Sequence, residues 1–293
     1  MKKILYLSLL LLFVFQLSAV DIKILSSETG SRLELQELAK DLQDYDVIFF
    51  GEWHGERPLH ELQRELLAEL PLADRALILS FEMWERQSQG YVDAYLADKI
   101  PEEEFVKLSE AWPNYEDYQP LIHFAKKHGL QVVAANIPRH YASRTAKEGW
   151  DFIQKLPPEE RALIAAKLTA PDDEYRKAFF QTMGDMSAHP MKAESLERMY
   201  QAQCMKDDTM AESIALALKE HPRARVLHFN GDFHSHKFLG TVSRLQSAMP
   251  ELKIAVLSPL LTEDIQEYKL NKEEAAAGTY IMLMSSPDKE EGK

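Results

Sequence analysis

Cysteine is almost absent from this sequence of 293 residues, in which Cys204 is the only one. A single cysteine cannot form an internal disulfide framework or a cysteine-rich zinc or iron–sulfur site. We therefore expect Cys204 to be a packing residue of a helix. The Gly-x-Ser-x-Gly turn of serine hydrolases is also missing, so we do not expect a covalent serine mechanism.

Positive charge is scarce as well. The chain has 34 lysines and arginines against 47 aspartates and glutamates, which gives a formal net charge of -13. An acidic surface repels phosphate groups, so we expect neither nucleic acid nor an anionic membrane face as the partner.

The sequence has one pronounced apolar run, at its N-terminus. Lys2 and Lys3 precede the apolar stretch 4–15, and the small residues Ser18 and Ala19 follow it. This order is typical of a secretory signal peptide, and the run is too short to span a membrane comfortably. We expect cleavage after Ala19 and a mature protein in the periplasm or cell envelope, with an uncleaved anchor as the alternative. Because no cysteine lies nearby, lipid anchoring through an N-terminal cysteine is not expected.

The rest of the chain predicts an α/β fold with a mostly parallel sheet flanked by helices. Apolar, strand-like runs alternate with helical patterns up to residue 141, and strand character returns after residue 222. Residues 142–221 contain only helical patterns, too many for a simple crossover between strands. We therefore divide the chain into a signal peptide (1–19), an α/β domain (20–141 and 222–285) and an inserted helical subdomain (142–221).

Polar groups follow several of the strand-like runs. Glu52 and His54 come after a glycine, Glu82 ends the second run, and His234 follows a later one. Since ligands of open α/β sheets bind at the carboxyl ends of the strands, these side chains are expected to meet at one edge. They could form a general base, a metal site or a hydrogen-bonded anchor. Alternatively, they only fix loops, with Glu82 paired to Arg86 or Arg139.

The last of these clusters is rich in histidine. His228, His234 and His236 lie within nine residues of a chain that has ten histidines. We expect His228 to be a core residue of its strand and His234 to be the functional residue of the three.

Tyrosine and histidine also flank the helical insert. His140 and Tyr141 precede it, Tyr118 lies upstream, and His189 lies inside it among several methionines. A tyrosinate can ligate ferric haem iron, although most tyrosines at such positions are amphipathic packing residues.

Five segments follow one another in the order GEWHGERPLHELQ (51–63), FEMWERQ (81–87), AANIPRHYAS (134–143), MYQAQCMKDDTMAESI (199–214) and HFNGDFHSHK (228–237). In this order they resemble the ChaN-like family of bacterial iron-regulated haem-binding lipoproteins. The resemblance implies a parallel α/β domain with a smaller helical domain, and haem held at a homodimer interface. It also implies contact with other components of haem uptake. This chain departs from the lipoprotein pattern because it lacks the lipobox cysteine.

In that family a tyrosine binds the haem iron, with assistance from a histidine of the partner subunit. Tyr141 is our first choice for this ligand and Tyr118 the second. The other residues expected around the haem are His140, His54, Arg139 and His189.

The chain is also similar to erythromycin-esterase-like hydrolases and to TraB/Tiki-type metalloproteases. These share a Gly-Glu-x-His segment, a glutamate at a strand end and a late Gly-x-x-His, which correspond here to Glu52, His54, Glu82 and His234. Haem binding is the favoured function. The alternative is a metal-dependent or histidine-based hydrolase that uses these four residues as catalytic groups. A third option is an envelope scaffold with a vestigial site.

Overall fold

A computed structural model describes residues 22–186 and 191–285 of the chain. The strands of the described part are β1 (Ile22–Ser26), β2 (Arg32–Leu33), β3 (Val47–Glu52), β4 (Leu77–Glu85), β5 (Gln131–Asn136), β6 (Arg225–Gly231), β7 (Ile254–Thr262) and β8 (Tyr280–Ser285). They form one sheet in the order β2-β1-β8-β7-β3-β6-β4-β5.

Helices connect and cover these strands. Their bounds are α1 (Leu35–Asp41), α2 (Arg57–Glu69), α3 (Gln89–Leu96), α4 (Glu102–Leu108), α5 (Tyr115–His128), α6 (Arg139–Glu148), α7 (Pro158–Arg161), α8 (Glu174–Met186), α9 (Ala193–Glu220), α10 (Gly240–Ala248) and α11 (Lys272–Ala275). No helix in the described ranges is long and apolar enough to cross a membrane.

The sheet is mostly parallel, which confirms the predicted fold class. The six strands from β8 to β5 run in one direction, and only β1 and β2 are antiparallel to their neighbours. All six residues of β3 are buried, as expected for a central parallel strand that is covered on both faces. The sequence patterns missed β1, a five-residue strand whose extended conformation depends on pairing with β8, far away in the chain.

Alternate residues of the central strands belong to two cores, one on each face of the sheet. Ile48 and Phe50 pack in a large core with side chains of α1, α2 and α5. Val47 and Phe49 pack in a second core with side chains of α9 and α10. This alternation is the period of two that a β-strand imposes on its side chains.

The helix α9 takes part in two different kinds of packing. Its C-terminal half contributes Ile214 and Leu218 to the core against the sheet. Its N-terminal half packs Tyr200 and Cys204 against α8, and the buried Cys204 confirms the expected packing role. The division of the chain into an α/β domain and a helical subdomain at 142–221 stays a prediction.

The end of β4 differs from the sequence prediction, which placed it at Glu82. The strand continues to Glu85, and its register with β5 shifts between Phe81 and Glu85. This irregularity is a bulge, which re-aims side chains at a sheet end without ending the extended chain. The predicted signal peptide and His189 lie outside the described residues.

Candidate functional site

The candidate site lies at the carboxyl ends of three adjacent strands. The parallel strands β3, β6 and β4 are neighbours in that order, and Glu52 at the end of β3 is in register with Gly231 at the end of β6. Glu82 lies near the end of β4, and His234 follows β6 in a short 3-10 turn at Asp232–His234. The convergence predicted from strand ends is therefore present in the fold.

Glu52 is a buried carboxylate with three side-chain partners. Its Oε1 accepts a hydrogen bond of 2.5 Å from the Tyr118 hydroxyl and lies 2.8 Å from Nδ1 of His54. Its Oε2 accepts a hydrogen bond from the amide of Gln63. Burial and the nearby Glu52 charge raise the pKa of Tyr118, so the phenol stays neutral and acts as a donor. His60 on α2 is also buried and bonds to Gln63 at 3.0 Å.

His54 is half-exposed, and Glu52 fixes its orientation. With Nδ1 held by Glu52, Nε2 points over Gly231, where an added Cβ would lie only 2.9 Å away. A larger residue at position 231 would therefore force the imidazole to shift. Burial lowers the pKa of His54, but the hydrogen bond to Glu52 and the charge of Glu82 outweigh it, so the pKa is raised overall.

Glu82 is the second buried carboxylate of the cluster. One oxygen accepts the backbone N–H of Gly231 at 2.8 Å, and the other lies 3.2 Å from Nε2 of His234. Burial raises the pKa of Glu82, but the adjacent His234 imidazolium outweighs burial and lowers it. The arginine partners suggested from the sequence are wrong. Arg86 bonds to Glu212 instead, and Arg139 lies 3.6 Å from Glu85. The physical reason is that Glu82 faces the end of β6, where Gly231 and His234 occupy both of its oxygens.

His234 lies between two carboxylates. Its Nδ1 is 2.7 Å from Asp207 on α9, opposite the contact with Glu82. Burial alone would lower the pKa of His234, but the two negative charges raise it to about 9. His234 is therefore an imidazolium at neutral pH, while the more exposed His54 is the ring that can exchange a proton.

One residue that holds His234, Asp207, escaped the sequence analysis. Asp207 accepts hydrogen bonds of 2.7 Å from Tyr175 and 2.8 Å from Thr241. The available signal was the pair of acidic residues Asp207 and Asp208 within a long helical pattern, because a buried carboxylate requires partners. His228 is fully buried on β6, bonded to Ser80 at 2.9 Å, as expected for a core histidine.

The haem candidates Arg139, His140 and Tyr141 form the first turn of α6. The ring of Tyr141 is buried, and its hydroxyl donates a 2.7 Å hydrogen bond to the exposed Glu160. Burial and the Glu160 charge raise the pKa of Tyr141 to about 12. His140 is exposed, with its ring centroid 4.0 Å from that of Tyr141.

A cleft of about 490 Å³ lies beside this turn. We call it the α6 cleft, and it is lined by Glu85, Gln87, Glu110, Arg139, His140, Ser143, Arg144 and Lys147. Three of these side chains are basic, two are acidic and one is an imidazole. The cleft thus combines a nitrogen ligand with positive charge, although the protein as a whole is acidic.

In the described residues, neither the Glu/His cluster nor the α6 cleft contains a set of side chains arranged to bind a metal ion. Within residues 22–186 and 191–285, no group of three or more His, Cys, Asp or Glu side chains is arranged to hold a metal ion. In the cluster, Glu52, Glu82 and His234 are instead bonded to one another or to neighbouring groups. The catalytic and haem-binding roles assigned to individual residues stay predictions.

Comparison with protein families decides the classification. The model of the family described as haem-binding uptake, Tiki superfamily, ChaN matches residues 38–245. The chain belongs to this family. The matched range contains β3 to β6, the whole Glu/His cluster and the α6 cleft. A comparison with curated protein sequences finds no significant match.

Solved structures agree on the fold of this ChaN-like chain. It is similar to the structure titled "Cofacial heme binding to ChaN of Campylobacter jejuni", with a TM-score of 0.69, 18% identity, and coverage of 91% of this chain and 98% of the other. The type III effector HopBA1 gives a TM-score of 0.50 at 12% identity, with 92% and 99% covered. A mutant of erythromycin esterase EreC in its open conformation gives only 0.45 at 10% identity, with 89% and 82% covered.

Proposed function

We propose that this protein binds haem at the α6 cleft and takes part in haem uptake or handling in the cell envelope. The observation that carries the proposal is the family match over residues 38–245. That family is described as haem-binding, and the match includes α6. The structure titled as a cofacial haem complex of ChaN adds support at the level of the fold.

The residues of the α6 cleft fit the chemistry of haem. Haem iron accepts imidazole and phenolate ligands. The exposed His140 lines the cleft, and Tyr141 follows it in α6, with its ring buried outside the cleft lining. Arg139, Arg144 and Lys147 line the same cleft and can pair with the carboxylates of the two propionates. When bound, the ferric iron would supply the Lewis acidity that favours the phenolate form of a tyrosine.

Tyr141 suits the role of the ligand better than Tyr118. The partner of Tyr141 is an exposed glutamate on a surface turn, so the hydroxyl can be released by moving one side chain. Tyr118 is fully buried and is bonded to Glu52, itself a buried carboxylate. Freeing Tyr118 would take one of three hydrogen-bond partners from that buried carboxylate, at a cost of about 1–3 kcal/mol.

Haemin titration of the full chain tests the site. Tyr141→Phe is expected to shift the Soret band and weaken binding by about tenfold or more, since tenfold corresponds to about 1.4 kcal/mol. His140→Ala is expected to weaken it as well. Tyr268→Phe is the matched control, because this hydroxyl also donates to a glutamate, at 2.6 Å, but lies outside the cleft. If Tyr141→Phe and His140→Ala both bind haemin like the wild type, the α6 cleft is not the haem site.

The location and assembly in this proposal need separate tests. Residues 1–19 are proposed to be a cleaved signal peptide, which mass spectrometry of the mature protein and fractionation of the cell envelope would detect. A haem-linked homodimer is proposed, and sedimentation with and without haemin tests it. A mature mass that still includes residues 1–19, or a monomer under both conditions, would refute the respective part. Contact with other components of haem uptake is also part of the proposal.

A second candidate function is hydrolysis by the Glu52/His54/Glu82/His234 cluster. The observation that favours it is the orientation of His54, whose Nδ1 is held by Glu52 while Nε2 faces the space beside Glu82. This is the arrangement of a general base with its orienting carboxylate. The protonated His234 adds a fixed positive charge nearby. The geometry favours water activation by the imidazole over the metal-dependent version of this hypothesis.

An ester and peptide panel tests hydrolysis. A hydrolytic rate should rise with pH as His54 loses its proton, because a general base must be neutral, and His54→Ala should abolish it. His123→Ala is the control, since this exposed histidine is also paired with a glutamate, Glu102, at 2.9 Å. No turnover of any substrate, or turnover that survives His54→Ala, would contradict this candidate.

A further inference from the structure

A buried chain of hydrogen bonds links the helix α2 to His54. His60 and Gln63 lie one turn apart on α2 and both face inward, whereas the other buried residues of this helix are leucines. Nδ1 of His60 bonds to the carbonyl oxygen of Gln63 at 3.0 Å, and the Gln63 amide nitrogen donates to Oε2 of Glu52. The other oxygen of Glu52 lies 2.8 Å from Nδ1 of His54. Three hydrogen bonds in succession therefore connect His60 with His54.

The direction of each hydrogen bond in this chain follows from Glu52. A carboxylate can only accept, so Gln63 must turn its NH₂ group toward Glu52 and its carbonyl oxygen toward His60. His60 must then donate from Nδ1. At the other end, Glu52 accepts from Nδ1 of His54, which leaves the lone pair of the neutral ring on Nε2. The chain thus assigns one tautomer to each of the two histidines.

An aromatic contact closes the chain into a loop around Glu52. The ring of His60 packs edge-on against that of Tyr118, with centroids 5.1 Å apart and planes at 84°. The Tyr118 hydroxyl donates to Oε1 of Glu52 at 2.5 Å. Both carboxylate oxygens are therefore held by donors, one on Tyr118 and one on Gln63, and both of these side chains contact His60. A rotation of the carboxylate would break hydrogen bonds on both sides.

Packing alone does not explain a histidine at position 60. Its Nε2 lies 3.7 Å from Oδ2 of Asp117, which is longer than a direct hydrogen bond. In the part of the chain that the structure describes, this buried nitrogen has no hydrogen-bond partner, which costs about 1–3 kcal/mol. Phenylalanine would fill the same space, keep the contact with Tyr118 and avoid this cost. It could not supply the Nδ1–H that holds Gln63.

We propose that His60 and Gln63 are positioning residues that hold the Glu52 carboxylate in the orientation that keeps the lone pair of His54 on Nε2. The functional consequence rests on the second candidate function, in which Nε2 of His54 accepts a proton from water as a general base. If Glu52 turned away, Nδ1 of His54 would lose its acceptor and the proton could move to Nε2. A ring protonated at Nε2 cannot act as the base there.

¹⁵N NMR of the full chain with labelled histidine tests the orientation, because the two tautomers differ in their nitrogen chemical shifts. Neutral His54 of the wild type should carry its proton on Nδ1. His60→Phe keeps the packing but removes the donor, and should convert a large fraction of His54 to the Nε2–H form. Gln63→Met removes both hydrogen bonds at similar volume and should have the same effect. His60→Asn should restore the wild-type signature, because its amide N–H lies near the position of Nδ1.

A matched control separates positioning from a general loss of stability. Ser80→Ala removes another buried hydrogen bond to a histidine, the 2.9 Å contact with His228, and Ser80 contributes nothing to the loop around Glu52. It should lower stability to urea about as much as His60→Phe while leaving the tautomer of His54 unchanged. If Ser80→Ala changes the tautomer equally, the hydrogen-bond chain from α2 is not the cause and the inference is overturned.

Kinetics extend the test to any ester or peptide that the wild type hydrolyses. His60→Phe and Gln63→Met should lower kcat on the order of 100-fold, as expected for a misplaced catalytic group, with little change in KM, and His60→Asn should recover most of the rate. An unchanged His54 tautomer in His60→Phe and Gln63→Met refutes the positioning role, whether or not hydrolysis occurs. If the tautomer changes but the wild type turns over no substrate, the positioning role stands and the hydrolytic function fails.

Discussion

Replacing Glu82 by glutamine should change how the stability of this protein depends on pH. Glu82 is 3% exposed, and its carboxylate lies 3.2 Å from Nε2 of His234. Glutamine has the same shape and can still accept the Gly231 N–H, so the substitution removes the charge with little change in packing. The pKa of His234 should then fall from its raised value of about 9 toward its ordinary value of 6.5.

The magnitude follows from linkage between protonation and folding. A histidine whose folded pKa is raised stabilises the protein fully below the unfolded pKa and loses that contribution as pH rises through the folded pKa. From pH 6.5 to about 9 the shift of His234 corresponds to about 3 kcal/mol, at about 1.4 kcal/mol for each pH unit. The wild type should lose about this much stability across that window. Glu82→Gln should lose much less stability over the same window. The difference in unfolding free energy between the wild type and this variant should therefore be largest at pH 6.5 and shrink toward pH 9.

Urea unfolding at several pH values across this window, followed by tryptophan fluorescence, measures how the unfolding free energies of the wild type and of Glu82→Gln change with pH. Glu85→Gln is the matched control, because Glu85 is a buried carboxylate three residues along β4 that pairs with Arg139 instead. It should leave the pH slope of the wild type unchanged. If Glu82→Gln keeps the wild-type slope, the charge pairing of Glu82 with His234 is not what raises the pKa of His234.

Three further substitutions test the packing and protonation of the site. Gly231→Ala places a Cβ 2.9 Å from Nε2 of His54. It should lower the unfolding free energy by about 1–3 kcal/mol through overpacking and shift the NMR titration of His54. An unchanged titration would contradict the close contact between residue 231 and His54. Tyr118→Phe removes the 2.5 Å hydrogen bond to the Glu52 carboxylate and should reduce the unfolding free energy by about 1.5–3 kcal/mol in urea unfolding. Burial lowers the pKa of His228 to about 3, so the wild type should lose up to about 5 kcal/mol as pH falls from 6.5 to 3. His228→Gln should reduce this loss of unfolding free energy in the same assay. If the variant loses as much stability as the wild type between pH 6.5 and 3, the buried neutral His228 is not its cause.

The central sheet and its functional edge could be predicted because their signals are local. A continuous apolar run such as β3 identifies a buried parallel strand, and the glycine and charged residues after it identify the strand end. Since parallel strands share an edge, Glu52, His54, Glu82 and His234 could be expected to meet without knowledge of the strand order. The same reasoning missed β1, whose partner β8 lies far away along the chain, and the two-residue strand β2, which pairs with β1.

The partners of the functional residues depend on contacts that no local pattern encodes. Asp207 reaches His234 because α9 packs back over the sheet, and Glu82 bonds to Gly231 and His234 instead of either suggested arginine. The sequence by itself thus determined which chemical groups gather at the edge, through hydrophobic periodicity and strand ends. Only the tertiary structure decided which of them are paired, charged or free to bind, because burial and the placement of opposite charges set each proton and each open ligand position.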